Sequence, residues 1–273
     1  MEIKEITIIG GRGKDGLPEA VDRVSFKMGD ILSIIGPTGC GKTTLINDIE
    51  LFANGDTPSG RRIIINGSIG GEEFSSDPSR KPTALITQHT NFLSDLPVYR
   101  FLNIHALIRR TKKSDSIVDE TLDFANQLTG EPIISDSAMT ELSGGQTRAL
   151  LIADAVVIGN SPIILLDEIE NAGIHRIKAL ELLKKYEKIF VFVTHDPRIA
   201  LLSDFRIVMR NGAMQSVIFT QVQEKLVAEQ INKLDDLLLN CRMLLRQGKC
   251  LNVAEFENNM KSLGYAINST GKS

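Results

Sequence analysis

The chain has 273 residues, 42% of them hydrophobic and 24% charged, enough for one large core with a small appendage and not for two full domains of that kind. A formal net charge of −3 provides no bulk basic footprint, so no nucleic acid and no acidic membrane surface is expected as a partner. No stretch approaches about 18 uninterrupted apolar residues, and the charged start MEIKE lacks the apolar core of a signal peptide, so a cytoplasmic protein without a membrane span is expected.

In chain order, residues 3–10, 22–28 and 31–35 read as strands, the first two separated by GGRGKDGLPEA, whose Gly and Pro punctuation marks a loop. The strand at 31–35 runs into GPTGCGKTT, residues 36–44, and then a helix over 43–52. Gly36-x-x-x-x-Gly41-Lys42-Thr43 is a P-loop pattern. In it glycines let backbone N–H groups curl around phosphate oxygens, a lysine reaches the β and γ phosphates, and a threonine hydroxyl serves Mg²⁺. The helix N-terminus adds its own preference for an anion. The nucleotide cradle is therefore Gly36, Pro37, Thr38, Gly39, Cys40, Gly41, Lys42, Thr43 and Thr44.

Further on, 61–66 is a strand turning at Gly67, and 83–87 a strand ending at Gln88. From 97 to about 140 the apolar positions fall at helical spacing, up to Leu142-Ser143-Gly144-Gly145-Gln146. A helix over 144–158 and a fully apolar strand over 162–166 follow, the latter ending in Asp167-Glu168. Four apolar residues before that acidic pair put it at the carboxyl edge of a sheet, where ligands bind. An amphipathic helix over 176–184 leads to a strand at 189–194 that ends at His195. Strands separated by helices imply a doubly wound, parallel core. Arg210-Asn211-Gly212-Ala213 between apolar runs reads as a hairpin with a type I′ turn.

The order of P-loop, Gln88, LSGGQ, Asp167-Glu168 and His195 resembles the nucleotide-binding domain of the ABC (ATP-binding cassette) superfamily, over roughly residues 1–220. The resemblance implies an α/β fold: a P-loop NTPase core with a mostly parallel sheet, an antiparallel N-terminal β portion, an inserted helical signature subdomain at about 89–143, and here a C-terminal helical tail over 221–273. It implies ATP and Mg²⁺ as cofactors, with Thr43, Gln88 and Asp167 toward the metal. Glu168 would polarise or deprotonate the attacking water, His195 would contact the γ-phosphate, and Gln88 would link the site to the helical subdomain. Ser143, Gly144, Gly145 and Gln146 would present a hydroxyl and a helix N-terminus to nucleotide held by another cassette. One cassette per chain then implies a second one, an identical copy or a paralogue.

Two functions follow from the resemblance. One is the ATPase subunit of a membrane transporter, peripheral on the inner face through separate transmembrane subunits docked near Gln88 and HTNFLSDLPVYRFLNI. The other is a soluble cassette ATPase driving assembly, activation or repair of a cytosolic enzyme complex.

Departures from the family pattern bear on this choice. No Tyr or Trp precedes Tyr99 and Phe26 falls too late to stack adenine, so an apolar contact or Arg12 is expected to replace the ring and to weaken base discrimination. The family's D-loop Asp is missing from Asn171-Ala172-Gly173-Ile174, and Asp154 stands where an Arg is common.

Other features read as structural. Asn232-Lys233-Leu234-Asp235 matches a guanine-reading pattern but lies in a helix-period segment, and His89, His105 and His175 lack metal spacing. The sequons at Asn66 and Asn268 need an export route that the chain start does not offer. Cys40, Cys241 and Cys250 form neither a metal motif nor a disulfide framework, and Cys40 reads as a small residue tolerated inside the P-loop. In the tail, Val227, Ile231, Leu234, Leu238, Cys241 and Leu245 form a heptad-like seam that stops at Gly248, with a second short helix over 253–263. The seam packs either on its own cassette or on a partner.

Overall fold

The structure is a computed structural model that describes residues 3–69, 81–109, 115–168 and 176–265. The expected D-loop at 171–174, His175 and Asn268 lie outside the described residues. The chain divides into two compact units, Met1–Thr220 and Gln221–Ser273.

The first unit contains two sheets. A four-stranded antiparallel sheet has the order β2 (Arg23–Lys27), β1 (Glu5–Ile9), β4 (Arg62–Ile65), β5 (Ser68–Ile69). Asn66 and Gly67, with φ of 50° and 81°, make the tight turn between β4 and β5. The Asn-Gly dipeptide of the Asn66 sequon is thus a hairpin signal, and a short strand follows where the sequence predicts only a turn at Gly67.

The second sheet runs β10 (Ala213–Phe219), β9 (Phe205–Arg210), β3 (Ile31–Ile35), β8 (Ile189–Val193), β7 (Ile163–Asp167), β6 (Thr83–Thr87). Its neighbours pair parallel throughout except β9 with β10. Those two are joined by the expected turn at Asn211 and Gly212, with φ of 52° and 83°.

Alternate side chains of the apolar strands feed two separate cores. On β7, Ile163 and Leu165 join one cluster with Leu45, Ile46 and Ile49 of α1 (Lys42–Glu50) and Ile6 and Ile8 of β1. Ile164 and Leu166 point to the other, with Val98 and Leu102 of α2 (Val98–Arg109), Ala125 and Leu128 of α3 (Asp115–Leu128), and Leu150 and Ala153 of α4 (Gly144–Val156). A strand with both faces covered has no polar side to show, which is why it reads as an unbroken apolar run. Two shorter helices, α5 (Arg176–Leu183) and α6 (Pro197–Leu202), also belong to this unit.

The second unit holds α7 (Val222–Arg246), which ends where Gly248 turns with φ 74°, and α8 (Val253–Ser262), whose N-cap Asn252 accepts from the Ala254 amide. Within this unit the Tyr265 hydroxyl donates to the Gln230 carbonyl at 3.4 Å. Asn232 to Asp235 lie inside α7, so they cannot form the strand-end loop that a guanine-reading motif needs.

Candidate functional site

The P-loop leaves β3 and enters α1 with its backbone in conformations that only glycine accepts comfortably. Gly36 has φ 151°, and a Cβ there would stand 2.3 Å from the Met209 carbonyl oxygen. Gly41, with φ 97°, is the N-cap of α1, and a Cβ there would stand 2.9 Å from Gly212 Cα. The β9–β10 turn therefore presses against the loop, and the Gly212 amide donates to the Cys40 carbonyl at 2.8 Å. Cys40 is buried, which fits a small packing residue. Thr43 and Thr44 are exposed on the first turn of α1, beside its free amides.

Lys42 is buried, and its ammonium donates to the carbonyls of Gly36 at 3.0 Å and Pro37 at 3.2 Å. The third contact is His195 Nε2 at 3.1 Å. The same Nε2 is 3.6 Å from Glu168 Oε1, outside hydrogen-bond reach but close enough for one small group to touch both. Side chains from the start of α1 and the ends of β7 and β8 thus converge, although 153 residues separate Lys42 from His195.

Glu168 follows the last residue of β7 with φ 51°, a left-handed conformation that a side chain of this kind seldom adopts, and its amide is held by the Val193 carbonyl at 3.0 Å. Strain of this sort persists where the surroundings dictate it, and it gathers at functional positions. Asp167 pairs in register with Thr87 on one side and Val193 on the other, so Gln88, immediately after Thr87, emerges at the same sheet edge.

The signature residues are built separately. Ser143 is the N-cap of α4, and a capping box closes it: Ser143 Oγ accepts from the Gln146 amide at 3.3 Å, and Gln146 Oε1 accepts from the Ser143 amide at 2.9 Å. Gln146 also donates to the Pro132 carbonyl at 3.1 Å. Among the described residues, none of these bonds reaches the P-loop. Ser143 and Gly144, at the start of α4, are exposed.

Arg148, one turn into α4, was not singled out in the sequence. Its guanidinium donates to the Gly144 carbonyl at 3.0 Å and to the Gln88 carbonyl at 2.5 Å, tying the start of the signature helix to the residue after β6. Its place two residues after Gln146, one turn into the signature helix, is the signal the sequence carries. Asp154, the unusual acid in α4, accepts from His105 Nδ1 at 2.7 Å, and Arg109 donates to the other ring nitrogen at 3.3 Å. His105 is therefore a link between α2 and α4.

The pattern of the ABC transporter family matches residues 21–171. An uncharacterized ABC transporter ATP-binding protein of Methanocaldococcus jannaschii is 51% identical over 251 residues, covering 92% of this chain and 96% of that protein. A spermidine/putrescine import ATP-binding protein of Lawsonia intracellularis is 30% identical over 241 residues, 81% of this chain, and this chain spans only 62% of its length. Among solved structures, a dimeric ATP-binding cassette in a post-hydrolysis state with ADP and Pi superposes with a TM-score of 0.61 at 23% identity, over 79% of this chain and 99% of that one.

Proposed function

Since the chain belongs to the ABC transporter family and is an ATP-hydrolysing cassette, we propose that it is the ATPase subunit of a membrane transporter, working as a face-to-face pair of cassettes. The observation that carries the catalytic part is the convergence of Lys42, Glu168 and His195 at the carboxyl ends of three neighbouring strands.

In this reading a triphosphate lies along the P-loop amides, and Lys42 exchanges its loop carbonyls for phosphate oxygens. Glu168 takes up the proton of the attacking water while His195 orients the γ-phosphate. The Thr43 hydroxyl and the Asp167 carboxylate supply hard oxygen donors of the kind that suits Mg²⁺, with Gln88 approaching from β6. The metal would neutralise charge on the phosphates. Ser143, Gly144, Gly145 and Gln146 are held by bonds to one another and to Pro132 and not to their own P-loop, and in this reading they serve nucleotide held by a second cassette, whether an identical copy or a paralogue.

The transport role draws on the names of the relatives and on surface chemistry. Leu93 is fully exposed, and Ile104, Leu107 and Ile108 on α2 are 42%, 49% and 74% exposed. They stand in and after the segment that follows Gln88, where separate transmembrane subunits would dock. Among the described residues no helix is long and apolar enough to cross a membrane, so the membrane part would be another polypeptide. The division at Thr220 would separate the cassette from a helical appendage.

Lys42→Ala tests the nucleotide site. Losing a charge-assisted contact worth about 1.5–3 kcal/mol should weaken ATP binding roughly 10- to 150-fold. Titration calorimetry reads this directly, and unchanged affinity would remove Lys42 from the site. Co-purification separates the two cellular roles. A membrane protein retained with the cassette supports transport, and a soluble enzyme complex in its place refutes it.

A further inference from the structure

The segment between β1 and β2 is an ordered arm. Gly10 donates to Asp22, Glu19 to Gly11 and Gly13 to Leu17 across its two sides, so residues 10–22 fold into a narrow hairpin with Lys14 and Asp15 at the tip. The tip is clamped on the β9–β10 turn. The Lys14 amide donates to the Asn211 carbonyl at 2.8 Å, the Asn211 side chain donates to Asp15 Oδ2 at 3.0 Å, and a Cβ on Gly212 would lie 2.9 Å from both Lys14 N and Cγ. Since Gly212 is bonded to Cys40, the arm, the turn and the P-loop form one stack.

On top of that stack the exposed Lys14 ammonium donates to the Gly39 carbonyl at 2.8 Å, in the middle of the P-loop. Its partner there is neutral. The adjacent carboxylate of Asp15 turns to the Leu17 amide and the Asn211 side chain. A solvated ammonium on a flexible four-carbon stem is held by one carbonyl only as firmly as any surface hydrogen bond, and a polyanion within its reach would be a stronger partner.

We propose that Lys14 is a second phosphate-binding cation, delivered from outside the P-loop by the arm, and that it anchors nucleotide by charge in a chain where no Tyr or Trp precedes Tyr99. The proposal rests on the nucleotide site described above. It makes Lys14 a specificity-determining residue: affinity resides in the phosphates, and the base contributes little.

The test measures equilibrium binding of ATP, GTP and CTP to the full chain and to Lys14→Ala, Lys14→Gln and Lys14→Arg. The wild-type chain should bind the three nucleotides within about threefold of one another. Lys14→Ala should lose about tenfold for each, the value of one charge-assisted hydrogen bond at an exposed site. The Arg variant keeps the charge and should restore most of the affinity. The Gln variant keeps a donor for Gly39 without charge and should not. Rescue by Gln would show that Lys14 merely braces the loop and would overturn the proposal, as would an unaltered affinity in Lys14→Ala or a loss confined to one base. Failure of the wild-type chain to bind any of the three would instead strike the nucleotide site itself.

Discussion

Glu168→Gln is expected to lower steady-state ATP hydrolysis by at least a hundredfold, roughly the share a positioned general base contributes, while leaving ATP binding within a few-fold. The amide has nearly the shape of the carboxylate, so the contacts around Lys42 and His195 survive and only the capacity to take a proton is lost. If two cassettes close over nucleotide, blocking cleavage should trap them closed, and size-exclusion chromatography with ATP should show a stable dimer that ADP does not support. The left-handed backbone at Glu168 sharpens the test. Glu168→Gly removes both the base and the backbone strain, so it should be equally inactive yet more stable to heat than Glu168→Gln by about 1 kcal/mol. A Glu168→Gln protein that turns over at the wild-type rate, as a monomer, would remove both the base assignment and the closed pair.

Much of this arrangement was legible in the chain because phosphate chemistry constrains local sequence so tightly. Glycines at 36 and 41 answer to backbone crowding by Met209 and Gly212, and the apolar runs at 163–166 and 189–193 answer to burial on both faces of a parallel sheet. The turn at Asn211-Gly212 was readable for the same reason: its two positive φ values demand those residue types. What escaped were partnerships between distant segments made of unremarkable residues. Arg148 on the Gln88 carbonyl, His105 on Asp154 and Lys14 on Gly39 each join positions 25 to 60 residues apart, and nothing in a polar side chain on a helix or loop announces its partner. The arm at 10–22 was readable as a loop but not as a folded one, because its order comes from a buried charge cluster whose members lie far apart in sequence.

That cluster gives the largest expected effect on stability. Arg61 is wholly buried, donating to Glu19 Oε1 at 2.6 Å, Glu19 Oε2 at 3.0 Å, Asp48 Oδ2 at 2.9 Å and the Gly212 carbonyl at 2.7 Å. Burial by itself would depress the guanidinium pKa, but the hydrogen bonds and charges of Glu19 and Asp48 outweigh it and hold the pKa above its usual value. Glu19 in turn accepts from the Gly11 and Met214 amides, and Asp48 from Ser59. One cation thus joins the arm, β4, the P-loop helix and the β9–β10 turn. Arg61→Met fills much of the volume but strands two buried carboxylates, and should cost about 3–5 kcal/mol, a fall in Tm of roughly 6–20 °C for a unit of this size. Arg61→Lys keeps the charge, yet a single ammonium cannot reproduce the planar fork that spans both acids, so it should recover only part of the loss. Replacing Arg61, Glu19 and Asp48 together by apolar residues of similar volume should cost less than Arg61→Met alone, since no charge is then left unpaired. The Gly212 link also predicts a functional consequence: Arg61→Met should bind ATP more weakly even at temperatures where it remains folded, because the turn that braces the Cys40 carbonyl has lost its own support. Denaturant unfolding that ranks the triple variant below the single one, or a Tm unchanged in Arg61→Met, would show that packing and not charge pairing holds these four elements together.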